Sequence, residues 1–349
     1  KSASVKDKMK LMEKCDKAGL AYSSQISQMY LKYLDMDQHV QIANSEGRYT
    51  EDHRMKTRFF IEAVVRDDQD VQRYYGPGAM GGYEFLEQIN VEECARKVAQ
   101  NAIRCLGART CPTGRMPVII ANGFGGLFFH EACGHSLEAT SVSDNGSEFS
   151  GKLGTKVASE KVTLIDDGSI RDGWGSGYID DEGELTRKNV LIKDGILKNY
   201  LVDRLNGKKL GLSANGSSRR ESYRFAPVAR MSNTYIAPGS DDVEKMIASV
   251  DRGIYVKSIN AGSVNSITGE FNFNTGETFL IEHGEITVPV HSATLIGTGG
   301  DILQKVEQVG KDYELGQGFC YAGSGAIYIG AGQPTVKVSE MTVGGDEIC

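Results

Sequence analysis

The sequence lacks a hydrophobic run long enough to cross a membrane. Its most apolar stretch, residues 117–129, is interrupted by Asn122 and by three glycines, and it is shorter than the roughly 18 apolar residues that a membrane-spanning helix needs. No signal-peptide pattern, internal repeat or low-complexity segment is visible either. We therefore expect a protein that has no membrane partner.

An excess of positive charge is also absent. The formal net charge of the 349 residues is −7, whereas nucleic-acid-binding proteins usually present a basic surface. The seven cysteines are odd in number and lack the paired spacing of a disulfide framework, which favours a reducing compartment. We therefore expect a cytoplasmic protein that does not bind nucleic acid.

The length of the chain predicts two domains, because 349 residues exceed what one hydrophobic core commonly fills. We place the boundary in the segment Cys111-Pro112-Thr113-Gly114, which gives domains of residues 1–113 and 114–349. The expected fold class is α+β. A long-stranded α/β domain comes first, and a β-rich domain that carries one buried helix follows it.

The first domain is predicted to contain two helices and a long hairpin. An apolar stripe at Val5, Met9, Met12 and Cys15 indicates a helix that ends at Gly19. The predicted ranges are a helix at residues 4–18, paired strands at 22–44 and 48–66 around a turn at 45–47, and a helix at 90–106.

In the second domain, two dipeptides predict hairpin turns. Asp194-Gly195 and His283-Gly284 each lie between apolar runs, and short dipeptides of this kind adopt the left-handed backbone that tight hairpins require. A further helix is predicted to begin after Asp241, since aspartate is a preferred helix cap.

The most informative feature is a group of three polar residues within the segment 130–135. His130, Glu131 and His135 resemble the zinc helix H-E-x-x-H, in which two histidines hold a metal and the glutamate is a general base. Here the histidines are five residues apart, which separates them by about 140° around a regular α-helix. The spacing therefore predicts a local π-bulge, which Gly134 would permit.

The surroundings of this motif indicate burial. A predicted strand at residues 116–121, a cap at Asn122 and a glycine-rich turn lead into Phe128 and Phe129. A charged glutamate in such a setting needs a partner, which a metal would supply. Two histidines on a buried helix could alternatively be core residues whose polar atoms are satisfied by other protein groups.

A catalytic zinc site usually has three protein ligands and one open position, so a third ligand is needed. The residues alone leave four candidates open. Cys133 could share the face of His130, and Glu138 follows the motif closely. His291 follows a predicted strand, whereas Cys320 lies between glycines that allow close backbone approach.

A series of characteristic segments follows the motif at residues 130–135. These segments are Asp180-Asp181-Glu182-Gly183, Asn189-Val190-Leu191-Ile192, Asp203-Arg204-Leu205-Asn206, Arg219-Arg220-Glu221-Ser222-Tyr223, Arg230-Met231-Ser232-Asn233-Thr234, Gly332-Gln333-Pro334-Thr335 and Thr342-Val343-Gly344-Gly345. With the motif and these segments in this order, the chain resembles the TldD/PmbA metalloprotease family, on the TldD side, over nearly its whole length.

The resemblance implies a zinc peptidase. His130, His135 and a C-terminal cysteine, which falls at Cys320, would hold Zn²⁺, and Glu131 would activate water. The non-catalytic sister subunits of the family lack H-E-x-x-x-H, so the motif indicates the active type. The resemblance also implies a dimer that encloses the site, either a homodimer or a heterodimer with a PmbA-type relative. Family members begin with a further N-terminal domain, which we expect to be absent from this sequence.

Several other polar residues have two interpretations. Arg219 and Arg220 could bind a substrate carboxylate or a carbonyl near the metal, or they could pair structurally with Glu182 or Glu221. The acidic residues 180–182 could form a second metal cluster, although a solvated or arginine-paired loop is the simpler interpretation. We interpret His39 and His53 as surface histidines.

These observations together predict a zinc-dependent metalloprotease that hydrolyses unfolded or short peptides, with the second domain as the catalytic one. Main-chain hydrogen bonds at sheet edges would hold an extended peptide with little sequence preference. The alternative is a non-catalytic scaffold or binding subunit of a TldD/PmbA-type complex, whose metal is structural or absent. A fourth protein ligand would favour the scaffold, and a water at the fourth position would favour the enzyme.

Overall fold

The computed structural model describes residues 3–65, 71–265 and 267–345. The fold class is α+β, as predicted. The chain divides into two compact units. The first comprises Lys1–Val40 and His53–Ala108, and the second comprises Gln41–Asp52 and Arg109–Cys349.

The first unit packs helices on one antiparallel sheet. Its elements are α1 (Val5–Leu20), β1 (Ile26–Ala43), β2 (Tyr49–Val65), β3 (Val71–Tyr75), β4 (Gly78–Met80), α2 (Glu84–Glu87) and α3 (Val91–Arg104); residues 41–52, at the tip of the hairpin, are grouped with the second unit. The sheet has the order β1-β2-β3, and β4 also pairs with β2.

The predicted long hairpin is confirmed in the pairing of β1 with β2, although the first strand begins at Ile26 and not at residue 22. The N–H of Asn44 donates to the carbonyl of Arg48 at 3.1 Å, and Gly47 has a φ of 84°, a backbone conformation that favours glycine. Residue 66, the predicted last residue of the second strand, lies outside the described residues. The predicted helix after residue 90 is also present as α3, with the Asn90 Oδ1 accepting a hydrogen bond from the Glu93 N–H.

The predicted apolar stripe of α1 is wrong in its first turns. Val5 and Met9 are 72% and 55% exposed, because the start of the helix extends beyond the hydrophobic core. The predicted helix end is also too early. Gly19 lies inside the helix, where a Cβ atom would come within 2.5 Å of Met29, so close packing explains this glycine better than helix termination.

The second unit contains a nine-stranded and a six-stranded sheet. The strands are β5 (Gly114–Ile120), β6 (Leu164–Asp167), β7 (Lys188–Lys193), β8 (Ile196–Leu197), β9 (Ser218–Arg219), β10 (Val228–Ala229), β11 (Asn233–Ile236), β12 (Arg252–Val256), β13 (Ile259–Val264), β14 (Glu270–Thr275), β15 (Thr278–Glu282), β16 (Glu285–Val290), β17 (Thr294–Thr298), β18 (Val306–Val309), β19 (Glu314–Ala322), β20 (Gly325–Gln333) and β21 (Val336–Gly344). The nine-stranded sheet has the order β13-β14-β17-β21-β5-β12-β15-β16, with β18 on β21. The six-stranded sheet has the order β19-β20-β11-β6-β7-β8, and β9 pairs with β10.

Helices of the second unit are short. They are α4 (Leu127–Phe129), α5 (Ala139–Val142), α6 (Arg204–Leu210), α7 (Val243–Ala248) and α8 (Gly299–Gln304). The predicted cap of α7 is wrong by one residue: Asp242 accepts the Lys245 N–H, whereas Asp241 accepts the N–H of Val309 at 2.8 Å. Among the residues that the structure describes, no helix is both long and apolar enough to span a membrane.

Both predicted hairpin turns of the second unit are confirmed. Asp194 and Gly195 connect β7 to β8, with φ values of 49° and 79°. His283 and Gly284 connect β15 to β16, with φ values of 52° and 82°. Two successive residues with positive φ are typical of the type I′ turn, whose twist matches that of the flanking strands.

Candidate metal centre

The motif follows β5 through a series of short helical turns. A 3₁₀ turn (Gly123–Gly126) leads into α4, and a π-helical turn (His130–Gly134) follows directly. The π-bulge predicted from the histidine spacing is therefore confirmed. A π turn bonds residues five apart, so it brings both histidines to one side. Their ring centroids lie 5.1 Å apart.

Asn122 and Gly134 do not have the roles that the sequence predicts for them. Asn122 stands at the cap position but makes no side-chain cap bond; its Nδ2 donates to the carbonyl of Asp312 at 2.8 Å. Gly134 has ordinary helical angles, with φ −59° and ψ −49°. A Cβ atom there would lie 2.1 Å from the sulfur of Met231. The glycine is needed for packing and not for backbone freedom.

Cys320 reaches the motif from the far end of the chain. It lies on β19, paired with Ile327 of β20, and its Sγ is 3.2 Å from Nε2 of His135. One ligand atom from each of His130, Glu131, His135 and Cys320 lies within 4.8 Å of all the others. The hairpin of β19 and β20 therefore delivers a thiol to the two imidazoles.

The other three candidates for the third ligand lie outside this group of four. Cys133 is buried, and its Sγ donates to the carbonyl of Phe129 at 3.0 Å; burial raises the pKa of this thiol well above its usual value. Glu138 contacts the opposite nitrogen of His135. His291 donates its backbone N–H to the carbonyl of Arg109.

The surroundings of His130 favour a bound metal. Its side chain is fully buried, and neither ring nitrogen has a hydrogen-bond partner. Burial lowers the pKa of His130 well below its usual value, and the nearby His135, Arg230 and Arg219 lower it further. The ring is therefore neutral, with a lone pair available for a ligand bond. Two imidazole nitrogens and one sulfur form a donor set that zinc prefers, so the residues fit a zinc ion.

Glu131 lies beside both histidines. Its Oε2 is 3.5 Å from Nε2 of His135, and its Oε1 is 4.0 Å from Nε2 of His130. Burial raises the pKa of Glu131, although the neighbouring His135 opposes this shift. A carboxylate with a raised pKa is a better proton acceptor near neutral pH than an exposed one.

Two buried residues connect the separate parts of the site. The Oε1 of Glu138 is 3.2 Å from Nδ1 of His135 and 3.9 Å from Nε of Arg230. Arg230 also donates to the carbonyl of Cys320 at 3.1 Å and to the Oγ of Ser324 at 2.7 Å. Burial lowers the pKa of His135, but Glu138 and Cys320 outweigh it, so the net shift is strongly upward.

Sequence reasoning missed this pair. The sequence predicts Glu138 only as a candidate metal ligand, and Arg230 enters only through the family resemblance. An acidic residue three positions after a motif histidine is the one local signal that could have suggested a carboxylate on the outer ring nitrogen. Nothing in the sequence near Arg230 indicates that its guanidinium reaches Cys320.

Arg219 and Arg220 hold backbone groups. The guanidinium of Arg219 donates to the carbonyls of Met231 and Tyr328 at 2.5 and 2.7 Å. For Arg220, the backbone N–H donates to the Oδ2 of Asp181 at 2.8 Å, and Nη1 donates to the carbonyl of Phe225 at 3.3 Å.

The acidic residues 180–182, which the sequence also allows as a second metal cluster, bind backbone N–H groups of the surrounding segments. The carboxylate of Asp180 accepts the N–H groups of Glu182, Glu184 and Ser218, and that of Glu182 accepts the N–H of Arg204. These carboxylates hold backbone N–H groups, and residues 180–182 are not among the groups of potential metal ligands in the part of the chain that the structure describes.

Two family descriptions match the sequence. The PmbA/TldA metallopeptidase central domain matches residues 1–106, and the PmbA/TldA metallopeptidase C-terminal domain matches residues 113–345. A Haemophilus influenzae protein named metalloprotease TldD homolog is 37% identical, over 99% of this chain and 73% of that protein. A Saccharolobus solfataricus protein named zinc metalloprotease TldD homolog is 31% identical, over 90% of this chain and 71% of its own.

Solved structures share the fold. A Thermotoga maritima protein, named as a candidate modulator of a DNA gyrase, superposes with a TM-score of 0.81 at 26% identity, over 98% of this chain and 74% of that one. TldE from Thermococcus kodakarensis superposes with a TM-score of 0.80 at 22% identity, over 99% and 75%.

Proposed function

Since this chain belongs to the PmbA/TldA metallopeptidase family, with relatives named TldD metalloprotease homologs, we propose that it is a zinc-dependent metalloprotease of unfolded or short peptides. One observation carries the proposal. A cysteine on β19 meets both motif histidines and Glu131 within 4.8 Å, and this set contains three metal donors and one carboxylate suited to proton transfer.

In this proposal His130, His135 and Cys320 hold the zinc, and Glu131 does not. When bound, zinc supplies a Lewis acid that polarises the scissile carbonyl and lowers the pKa of water. The unsatisfied ring nitrogens of His130 support its role as a ligand, because a buried polar atom without a partner costs about 1–3 kcal/mol. Three protein ligands would leave a fourth position open, which is typical of catalytic zinc sites.

Glu131 is the proposed general base. Its carboxylate takes a proton from the attacking water and passes it to the leaving amine. Burial raises the pKa of Glu131, which supports this role, since a carboxylate with a raised pKa is a stronger base than an exposed one. General acid–base catalysis of this kind contributes typically 10²–10⁴-fold to a rate.

An extended peptide is the proposed substrate. Strand β19, which carries Cys320, lies at one edge of the six-stranded sheet, so a peptide could bind along it through main-chain hydrogen bonds. Such bonds discriminate little between side chains. Part of this edge is already used, because the indole N–H of Trp174 donates to the carbonyl of Gly318. Arg219 and Arg220 are also proposed to contact substrate near the metal. The guanidinium of Arg220 donates to the carbonyl of Phe225, whereas that of Arg219 donates to two backbone carbonyls, so Arg220 is the better candidate of the two.

We also propose a dimer, formed either by two copies of this chain or with a PmbA-type relative. The family resemblance supports this, because it implies a dimer that encloses the site. Such an enclosure would exclude folded proteins. We expect light scattering to give a dimer, or activity to rise when the relative is added, and folded substrates to be spared. Full activity of a stable monomer on folded proteins would contradict the enclosure.

The substitution Glu131→Gln tests the catalytic proposal. Incubation of the zinc-loaded parent protein with an unfolded-peptide mixture should give new peptide products by mass spectrometry. The Glu131→Gln variant should retain its zinc, measured by elemental analysis, and give none of these products. Loss of zinc together with activity would show that Glu131 is a ligand, and a zinc-loaded parent without products would favour the non-catalytic scaffold.

A further inference from the structure

A second group of potential metal ligands lies on the exposed face of the β1–β2 hairpin. The Oδ1 of Asp37 is 2.6 Å from Nε2 of His53 and 3.9 Å from Nε2 of His39. The two imidazole rings stack with their centroids 4.0 Å apart and their planes within 12°. One ligand atom from each of the three residues lies within 4.8 Å of the other two.

The register of the hairpin explains why these side chains meet. The bond between Asn44 and Arg48 sets the pairing at the turn, and equal steps away from it place His39 directly opposite His53. Directly opposite residues in an antiparallel pair have Cβ atoms about 4.5–5.5 Å apart. Asp37 is two residues from His39 along β1, so its side chain is on the same face. The backbone register of the hairpin therefore places the three side chains next to one another.

The chemistry of this face differs from that of an ordinary surface ion pair. In the second unit, by contrast, His283 and Asp251 form a simple exposed pair, with Nδ1 and Oδ1 3.0 Å apart. On the hairpin, two imidazoles share one carboxylate. A cation bound to all three groups would accept the Nε2 lone pair of each ring and one oxygen of the carboxylate.

The donor set indicates the type of cation. Two imidazole nitrogens and one carboxylate oxygen suit zinc, copper or nickel, whereas calcium and magnesium prefer oxygen ligands alone. The side chains of Asp37, His39 and His53 are 67%, 76% and 44% exposed, so water can occupy the remaining coordination positions. We propose that Asp37, His39 and His53 form a second metal site, on the protein surface, for a divalent transition-metal ion.

Nickel is a suitable probe. The full chain is first loaded with one equivalent of zinc, to fill the centre at His130, and Ni²⁺ is then titrated by calorimetry. We expect one additional equivalent to bind. His39→Asn and His53→Asn should each weaken this binding at least 10-fold, and His283→Asn is the matched control that should leave it unchanged. Circular dichroism and the thermal midpoint establish that the variants are folded.

Copper gives an independent measurement. The electron paramagnetic resonance spectrum of added Cu²⁺ should show hyperfine coupling to two imidazole nitrogens, which either substitution would reduce to one. Absence of the additional equivalent in the parent, equal loss in the His283→Asn variant, or unchanged binding in folded His39→Asn and His53→Asn would each overturn the proposal. The outcome is separable from that of the peptidase proposal, because Glu131→Gln should retain the additional nickel site.

Discussion

The Sγ of Cys320 and the Nε2 of His135 lie 3.2 Å apart although 185 residues separate them in the sequence. The two residues come from different parts of the second unit: His135 directly follows the π-helical turn, and Cys320 lies on the edge strand β19. A zinc ion held by both would connect these elements, so metal binding and tertiary structure should be coupled. The groups that hold each ligand in place are then as important as the ligands themselves.

Glu138→Gln should weaken zinc binding without removing a ligand. The carboxylate orients the ring of His135 through Nδ1 at 3.2 Å, and substitution of such outer partners typically lowers metal affinity 10–100-fold. We expect a loss of that size, measured by competition with a chelating dye. Glu277→Gln is the control, since Glu277 is another buried carboxylate, paired with Lys257, and should leave the affinity unchanged. Unchanged affinity in Glu138→Gln would contradict the orienting role.

The sequence was sufficient to predict the local features of this site. The spacing of His130 and His135 required a π turn, and that turn is present. Dipeptides with turn chemistry likewise located two hairpins, because their backbone preferences are decided within a few residues. The placement of His130 and His135 relative to each other is likewise decided by a few neighbouring residues.

Contacts between distant segments were not predictable in this way. The bond from Arg230 to the Cys320 carbonyl depends on how β20 and β11 pair, which no local pattern encodes. The apolar stripe of α1 failed at Val5 for the same reason, since burial depends on how far the core extends. By chemistry alone Cys320 is one of four candidates in the sequence, and only the family resemblance distinguishes it from the other three.

Gly134→Ala should destabilise the protein by about 1–3 kcal/mol, the usual cost of overpacking, because the new methyl group would meet the sulfur of Met231 at 2.1 Å. Chemical denaturation measures the change. Combination with Met231→Ala should cost less than the sum of the two single changes, by at least about 0.5 kcal/mol. Gly323→Ala is the control: a Cβ there would have no atom within 4 Å. Additive effects would show that the two residues do not clash.

Glu148 should make stability depend on pH. Its Oε1 is buried without a partner, its Oε2 accepts the Gly300 N–H at 3.1 Å, and burial raises the pKa of the group above 4.5. The folded state therefore binds the proton more tightly than the unfolded state, so this contribution is present below pH 4.5 and is lost as the pH rises through the folded-state pKa. Urea unfolding should find Glu148→Gln more stable than the parent at pH 8, with a smaller difference at pH 4.5. A difference that is constant across this range would contradict the assignment.

Cys320→Ala should remove zinc, whereas Cys133→Ala should leave zinc binding unchanged. Cys320 faces Nε2 of His135, whereas Cys133 is buried away from the four-residue group and bonds to the Phe129 carbonyl. A thiolate ligand contributes directly to metal affinity, and a buried cysteine that is not a ligand contributes packing. Cys320→Ala should therefore lose zinc and activity together, and Cys133→Ala should retain both, with destabilisation on the order of 1 kcal/mol. Elemental analysis and peptide hydrolysis measure the two effects on the same samples. The reverse result would place the third ligand within the motif and leave the 3.2 Å contact of Cys320 as a packing interaction.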